Sequence, residues 1–270
     1  MAKKLRILSD IHFGHKASII KEIDQLEDLC RGTDKLIFNG DTIEQKYEDS
    51  PKHTYNPLPS FYDFSDKVSQ WCSDIHFISG NHDPSISQNH FMETHDGDVF
   101  ITHGDGIFEN IAPWSKNVEV LNKACSKRIK PDDNYELQTE LQLLKEASIE
   151  AHEKALDYDP TTLGKTIVFF AQLWPPHRPF KILQCWKNTP AKAVEFARRH
   201  GRSPKVIVIG HTHCPGIWKH DGIWVVNTGS FFPWPKRYAV EIEENSLTVR
   251  RISKKHNRFQ LGTIAISISL

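Results

Sequence analysis

Five times in this chain a run of apolar, β-favouring residues stops at a cluster of metal-ligating side chains: LRIL before SDIH, KLIF before NGD, HFI before SGNHD, VFIT before HGD, and VIVI before GHTH. Short, nearly continuous apolar runs of this kind are strands buried on both faces, as in a parallel sheet covered by helices. In an open α/β sheet, ligands gather beyond the carboxyl ends of the strands. The runs therefore constrain the chain to a layered α/β fold with its polar clusters on one side. Taken singly, each cluster has an ordinary explanation: Asp10 as a helix cap, Asp41 as a turn former beside Gly40, Asn81-His82 as a loop, His103 as a core histidine. Coincidence at every strand end is a poor explanation, and a shared metal site is the better one.

Between the clusters the periodicity changes. The segment 18–30 places Ile19, Ile20, Ile23, Leu26 and Leu29 on one stripe and reads as a helix, as does the region 61–72. From about 115 to 200 the chain reads as largely helical: VEVLNKACSKRI, ELQTELQLLKEASIEAHEKAL, and TPAKAVEFARRHG with Thr189 as N-cap and Gly201 as stop. Strands return in KVIVIG, GIWVVNTGS, YAVEIEE and SLTVRRIS, the last two joined as a hairpin at Glu244-Asn245. The expected division is a core of 1–110 and 203–255, a helical cap insertion of 111–202, and an edge strand or tail of 256–270.

Composition excludes some partners. Lys+Arg and Asp+Glu both number 34, so no global basic field draws the chain to nucleic acid. The five cysteines never form a CxxC, and the chain enters AKKLRILSD without a signal-type segment, so a reducing cytoplasmic setting is expected. The most apolar region, 167–186, is broken by PPHRP short of the roughly 20 unbroken residues a membrane span needs; a peripheral membrane contact is the most it suggests.

The pair His211 and His213 would face one way on an extended segment and could hold one metal or two adjacent ones, with Cys214 facing away. Together with Asp10-x-His12, Gly40-Asp41-x-x-Glu44, Gly80-Asn81-His82-Asp83, the His103 of HGD, and the NTGS that follows the histidine pair, this order of motifs resembles the calcineurin-like metallophosphoesterase superfamily. The resemblance implies a four-layer αββα sandwich holding two divalent metals at the strand ends. It implies Asp10, His12 and His213 as ligands of one metal, Asn81, His103 and His211 as ligands of the other, and Asp41 as the bridge. Mixed oxygen and nitrogen ligation suits Mn²⁺, with Fe and Zn²⁺ as alternatives. A bridging carboxylate suits dications roughly 3.5–4 Å apart.

The implied reaction is attack of a metal-bridging hydroxide on phosphorus, cleaving a phosphodiester or a pyrophosphate. Asn81 would also hydrogen-bond the phosphate, His82 would protonate the leaving oxygen, and Glu44, where the family usually carries Asp, would orient His82. GDTIE and the insertion between HGD and GHTH resemble the UDP-2,3-diacylglucosamine hydrolases, although GNHD stands here where that branch reads GNRD. A small-molecule phosphate ester, nucleotide-sugar or lipid-linked substrate is therefore expected, selected by the loop 45–60 and the cap. The alternatives are a nuclease of the same superfamily and a non-catalytic metal-binding scaffold; a scaffold has no use for an acid at His82. His15 is a loop histidine or a phosphate contact, and Arg128, Arg178, Arg198 and Arg199 are solvated helix faces or contacts to a charged substrate.

Overall fold

In the computed structural model, described for residues 3–45, 59–108, 110–113, 115, 118–129, 134–156, 177–233 and 236–270, the chain builds two mixed sheets. In the first, β1 (Leu5–Leu8), β2 (Lys35–Asn39) and β3 (Ile75–Ile78) run parallel. Antiparallel β9 (Tyr238–Glu243), β10 (Ser246–Lys255) and β11 (Arg258–Ser269) extend it beyond β1, giving the order β11-β10-β9-β1-β2-β3. In the second sheet, β5 (Val99–Thr102), β6 (Val206–Ile209) and β8 (Ile223–Asn227) are parallel. Its edges are antiparallel β4 (Phe91–Thr94) and β7 (Gly216–His220). The stretch 256–270, expected as edge strand or tail, contains β11, paired to β10.

Strand alternation sorts side chains into layers. Leu5, Ile7, Ile37, Val99, Ile101, Val206, Val208 and Val226 meet between the sheets. Their neighbours Leu8, Leu36 and Phe38 point outward against α1 (Glu27–Cys30) and α2 (Pro59–Ser69), through Leu29, Phe64 and Val68. On the far side Phe100, Ile207, Ile209 and Val225 meet α3 (Val118–Arg128), α4 (Leu137–Leu156) and α5 (His177–Arg199), through Leu121, Leu141, Leu144 and Phe196. Helix, sheet, sheet and helix make the four layers of the expected αββα sandwich.

Two helix expectations need correction. The segment 18–30 is not one helix: a 3₁₀ turn, Ile23–Leu26, leads into the single turn of α1. Local side-chain bonds claim the preceding backbone. Ser18 Oγ donates to the Ile11 carbonyl and accepts from the Ile20 N–H, and Gln25 Oε1 accepts from the Lys21 and Glu22 N–H groups. Thr189 is not an N-cap. Helix α5 runs through it and through Pro190, and the Thr189 hydroxyl donates to the Cys185 carbonyl one turn back. Gly201, at φ +70°, follows the helix as expected of a stop. The loop 46–58 and the apolar stretch 167–176 lie outside the described residues.

Candidate metal centre

The carboxyl ends of β1, β2, β3, β5 and β6 point to one place, and each delivers its cluster there. Convergence needs an unusual backbone. Asp10, His12, Asp41, His211 and His213 take φ values of 50°, 49°, 50°, 64° and 54°, a left-handed conformation uncommon for residues other than glycine. This corrects the extended-segment account of the histidine pair. Strand β6 ends at Ile209, and left-handed turns rather than strand alternation bring the two rings to the site. Two glycines make room: a Cβ on Gly40 would sit on the His103 ring, and one on Gly210 would sit on the Asp10 carboxylate.

Among the described residues the ligand-type atoms fall into three sets, two of which share Asp41, while the third joins His12, Glu44 and His82. Asp10, His12, Asp41 and His213 form one, and Asp41, His103 and His211 the other, with the atoms of each set within 4.8 Å of one another. In the first, His12 Nε2 lies 3.1 Å from His213 Nε2, and His213 Nε2 lies 3.2 Å from Asp10 Oδ1. In the second, Asn81 Oδ1 lies 3.3 Å from His103 Nε2. Asp41 Oδ2, at the shared corner, is 3.3 Å from His103 Nε2 and 3.6 Å from His12 Nε2, yet it is buried without a hydrogen bond. A buried carboxylate needs positive charge close by, and here a protonated His103 or a bound cation can supply it. The donor set suits a binuclear divalent metal site of mixed oxygen and nitrogen ligation.

The electrostatics agree. Burial disfavours a charged His103, but the carboxylates of Asp41, Asp10 and Asp105 outweigh it and push the ring up to about 10. His211, buried and beside His103, is pushed down to about 4. The carboxylates thus hold positive charge on His103, while burial keeps His211 and His12 toward the neutral form that ligates a metal.

A second layer of bonds aims these side chains. His103 Nδ1 donates to the Asn39 carbonyl at 3.0 Å, leaving Nε2 toward the cluster. His211 Nε2 donates to the Ile111 carbonyl at 2.8 Å, leaving Nδ1. Asp83 accepts from the backbone N–H groups of Gly80, Asp41, Thr42 and Ile43, tying the β2 and β3 loops together. Asn227, in NTGS, donates to the Gly210 carbonyl and to Thr212 Oγ1 and so fixes the histidine turn. His82 Nδ1 lies 3.2 Å from Glu44 Oε1, while Glu44 Oε2 lies 3.4 Å from His12 Nδ1. The longer Glu therefore reaches both histidines. Burial opposes a charged His82, but Asp41 and Glu44 outweigh it and push the ring up to about 9.

Several supports were not singled out from sequence. Lys145 of α4 pairs with Asp105, both buried, and Ser148 Oγ donates to the Asn81 carbonyl at 2.8 Å. Trp186 Nε1 of α5 donates to the Thr212 carbonyl at 3.1 Å. Phe232 stacks on His12 with ring centroids 4.7 Å apart. Nothing in a single helix pattern marks Lys145 or Ser148; the aromatic pair after NTGS was the only available signal for Phe232. His15 is half-buried near His12, its Nδ1 accepting from the Ala17 N–H. Arg128, Arg198 and Arg199 pair with Glu150, Asp221 and Glu140. The side chain of Arg178 lies outside the described residues.

The chain is similar to Vacuolar Protein Sorting 29 from Cryptosporidium parvum, with 11% identity over 100% of this chain and 99% of the other and a TM-score of 0.48. It is similar to a conserved predicted phosphoesterase from Streptococcus pneumoniae, at 14% identity, covering 100% and 98%, with a TM-score of 0.42. The E. coli phosphoesterase Yfce gives 14% identity, 98% of both chains and a TM-score of 0.42. No curated protein matches the sequence. A family model described as calcineurin-like phosphoesterase matches residues 3–215, beginning before Asp10 and ending after His213. Because that span takes in most of the chain and all five clusters, the chain belongs to the calcineurin-like phosphoesterase family.

Proposed function

We propose that the protein is a dinuclear metal-dependent phosphoesterase that hydrolyses a small-molecule phosphodiester or pyrophosphate, with Asp10, His12 and His213 on one metal, Asn81, His103 and His211 on the other, and Asp41 shared. The observation that carries this reading is the buried Asp41 carboxylate at the corner common to both ligand sets, its Oδ2 3.3 Å from His103 Nε2 and 3.6 Å from His12 Nε2. Two bound divalent cations would supply charge neutralisation at the phosphoryl oxygens and acidify water enough for attack at neutral pH. The mixed oxygen and nitrogen donor set suits Mn²⁺, Fe or Zn²⁺. Asn81, held from behind by Ser148, presents its amide to the phosphate. His82, charged and oriented by Glu44, delivers a proton to the leaving oxygen.

The His82–Glu44 pair favours catalysis over a scaffold role, since holding metals requires neither a charged imidazole nor its carboxylate partner. A nuclease would need a groove of cations for the phosphate backbone; the described residues lining the cavity beside the cluster include no Lys or Arg. A lipid-linked or nucleotide-sugar pyrophosphate would need room beyond that cavity. No helix among the described residues is long and apolar enough to cross a membrane. The test is metal content by mass spectrometry together with turnover of an aryl phosphodiester, with and without Mn²⁺. Two metals per chain and metal-dependent hydrolysis are expected; metal binding without turnover of any phosphoric ester would leave the scaffold reading in its place.

A further inference from the structure

Helix α4 carries three polar side chains, Gln142, Lys145 and Ser148, at intervals of three residues. That spacing sets them side by side along one flank of the helix. Gln142 stands at the exposed edge, whereas Lys145 and Ser148 are buried with Leu141, Leu144 and Ala147. A helix that only had to pack would carry apolar side chains at such positions, because burying an ammonium group or a hydroxyl costs desolvation.

The bonds of all three lead to the strand ends that supply Asn81 and His103. His90 Nε2 donates to Gln142 Oε1 at 2.8 Å, and its Nδ1 accepts at 2.5 Å from the hydroxyl of Ser79, two residues before Asn81. Lys145 pairs with Asp105, two residues after His103. Ser148 Oγ donates to the Asn81 carbonyl itself at 2.8 Å. The helix is seated closely on this region: a Cβ added to Gly106 would lie 2.7 Å from Leu141 Cδ2. Asp10 and His12 of the other set are held by different groups, Ser9 Oγ donating to Asp10 and Glu44 Oε2 lying 3.4 Å from His12 Nδ1.

We propose that α4 is the positioning element for the metal assigned to Asn81, His103 and His211. Through Gln142, Lys145 and Ser148 it fixes where Asn81 and His103 stand, and so sets the affinity of that metal separately from its neighbour's. The inference rests on the binuclear reading above and extends it to a helix that supplies no ligand. A cation binds tightly when its ligands are already spaced for it, and Asn81 Oδ1 and His103 Nε2 lie 3.3 Å apart. Outer bonds that lock such ligands are worth about 10–100-fold in metal affinity. Because the α4 bonds reach the turns after both β3 and β5, losing one of them loosens the spacing between the two ligands rather than the fold of either turn.

The test is calorimetric titration of Mn²⁺ into the metal-stripped full chain, with stability read in parallel by urea unfolding. His12→Ala and His211→Ala, each removing a ligand of one set, identify the two binding steps. Ser148→Ala should weaken the step that His211→Ala weakens by ~10–100-fold and leave the step that His12→Ala weakens unchanged. Gln142→Ala, at the exposed edge, should weaken the same step and serves if Ser148→Ala does not fold. Lys145→Met combined with Asp105→Leu replaces the ion pair by apolar side chains, so it should keep much of the wild-type stability and still weaken that step by ~10-fold. Affinity that recovers with stability in this double variant assigns α4 to packing alone and overturns the inference. So does an equal loss in both steps, or in neither, for the folded single variants. A wild-type chain that binds no Mn²⁺, Fe²⁺ or Zn²⁺ overturns the binuclear reading and this inference with it.

Discussion

His82 carries its proton between two carboxylates, and the balance around it sets what the ring can do. Burial pushes its pKa down, Asp41 and Glu44 push it up, and the outcome at about 9 keeps it protonated at neutral pH. An acid loses its proton as pH rises, and the Glu44 carboxylate favours the protonated ring, so Glu44→Gln should move the alkaline limb of kcat/KM to lower pH, read from a steady-state pH profile. His82→Ala should cost ~10²–10⁴-fold in kcat for an alkyl ester and far less for a nitrophenyl ester, whose leaving group departs without a proton. Equal losses on the two substrates would assign His82 to binding instead. His211 presents only Nδ1 to the cluster, because Nε2 is engaged by the Ile111 carbonyl. His211→Ala should therefore lower the occupancy of one metal more than the other, measured by metal analysis, and equal loss of both would count against the split of the histidine pair.

At the scale of elements, buried ion pairs join the layers. Lys145 pins α4 to the turn after β5 through Asp105. Lys145→Met strands that carboxylate in the core and should destabilise the fold by ~3–5 kcal/mol, whereas adding Asp105→Leu should recover much of the loss, as read from urea unfolding. Arg6 on β1 donates to Glu241 on β9 at 2.6 Å and to the carbonyls of Leu29 and Arg31 at the end of α1. Burial raises the Glu241 pKa, but Arg6 and Lys4 draw it below its ordinary 4.5. A depressed carboxylate stabilises above that ordinary value and loses its contribution as pH falls through the folded one. Glu241→Gln should therefore be less stable than wild type at neutral pH, and the two urea midpoints should converge below pH 4.5. A constant gap would mean that the pair adds no pH-dependent stability. Strands were legible where an apolar run or a clear alternation marked them and obscure where neither did. β1, β2, β5 and β6 stand out as apolar runs, but β4 and β7, FMET and GIWKH, are half-exposed and carry no distinct pattern. Thr189-Pro190 reads as a helix start because propensity says so, while packing of Ala193, Val194 and Phe196 on the second sheet carries α5 straight through it.

For the whole molecule, the candidate site was more legible than the scaffold around it, for a physical reason. Ligand-type residues follow directly on buried strands, so sequence order alone assigns each to a strand end. The left-handed turns that aim Asp10 and His211, and the helix side chains behind Asn81, depend on contacts between segments far apart in the chain. The same arrangement makes metal binding a global property. Asp10, His12, Asp41 and Asn81 come from the first sheet, and His103, His211 and His213 from the second, so bound cations would cross-link the two sheets at their carboxyl edges. A ligand that binds only the folded state stabilises by about 2.7 kcal/mol at a hundred times its Kd. For a chain of this size that corresponds to a rise in Tm on the order of 5–10 °C. Stripping the protein with a chelator should lower Tm by that amount, and Mn²⁺ should restore it, followed by calorimetry. Asp41→Asn removes the shared corner and should abolish the Mn²⁺-dependent shift. A shift of full size in that variant would show that the metals are held without the bridge.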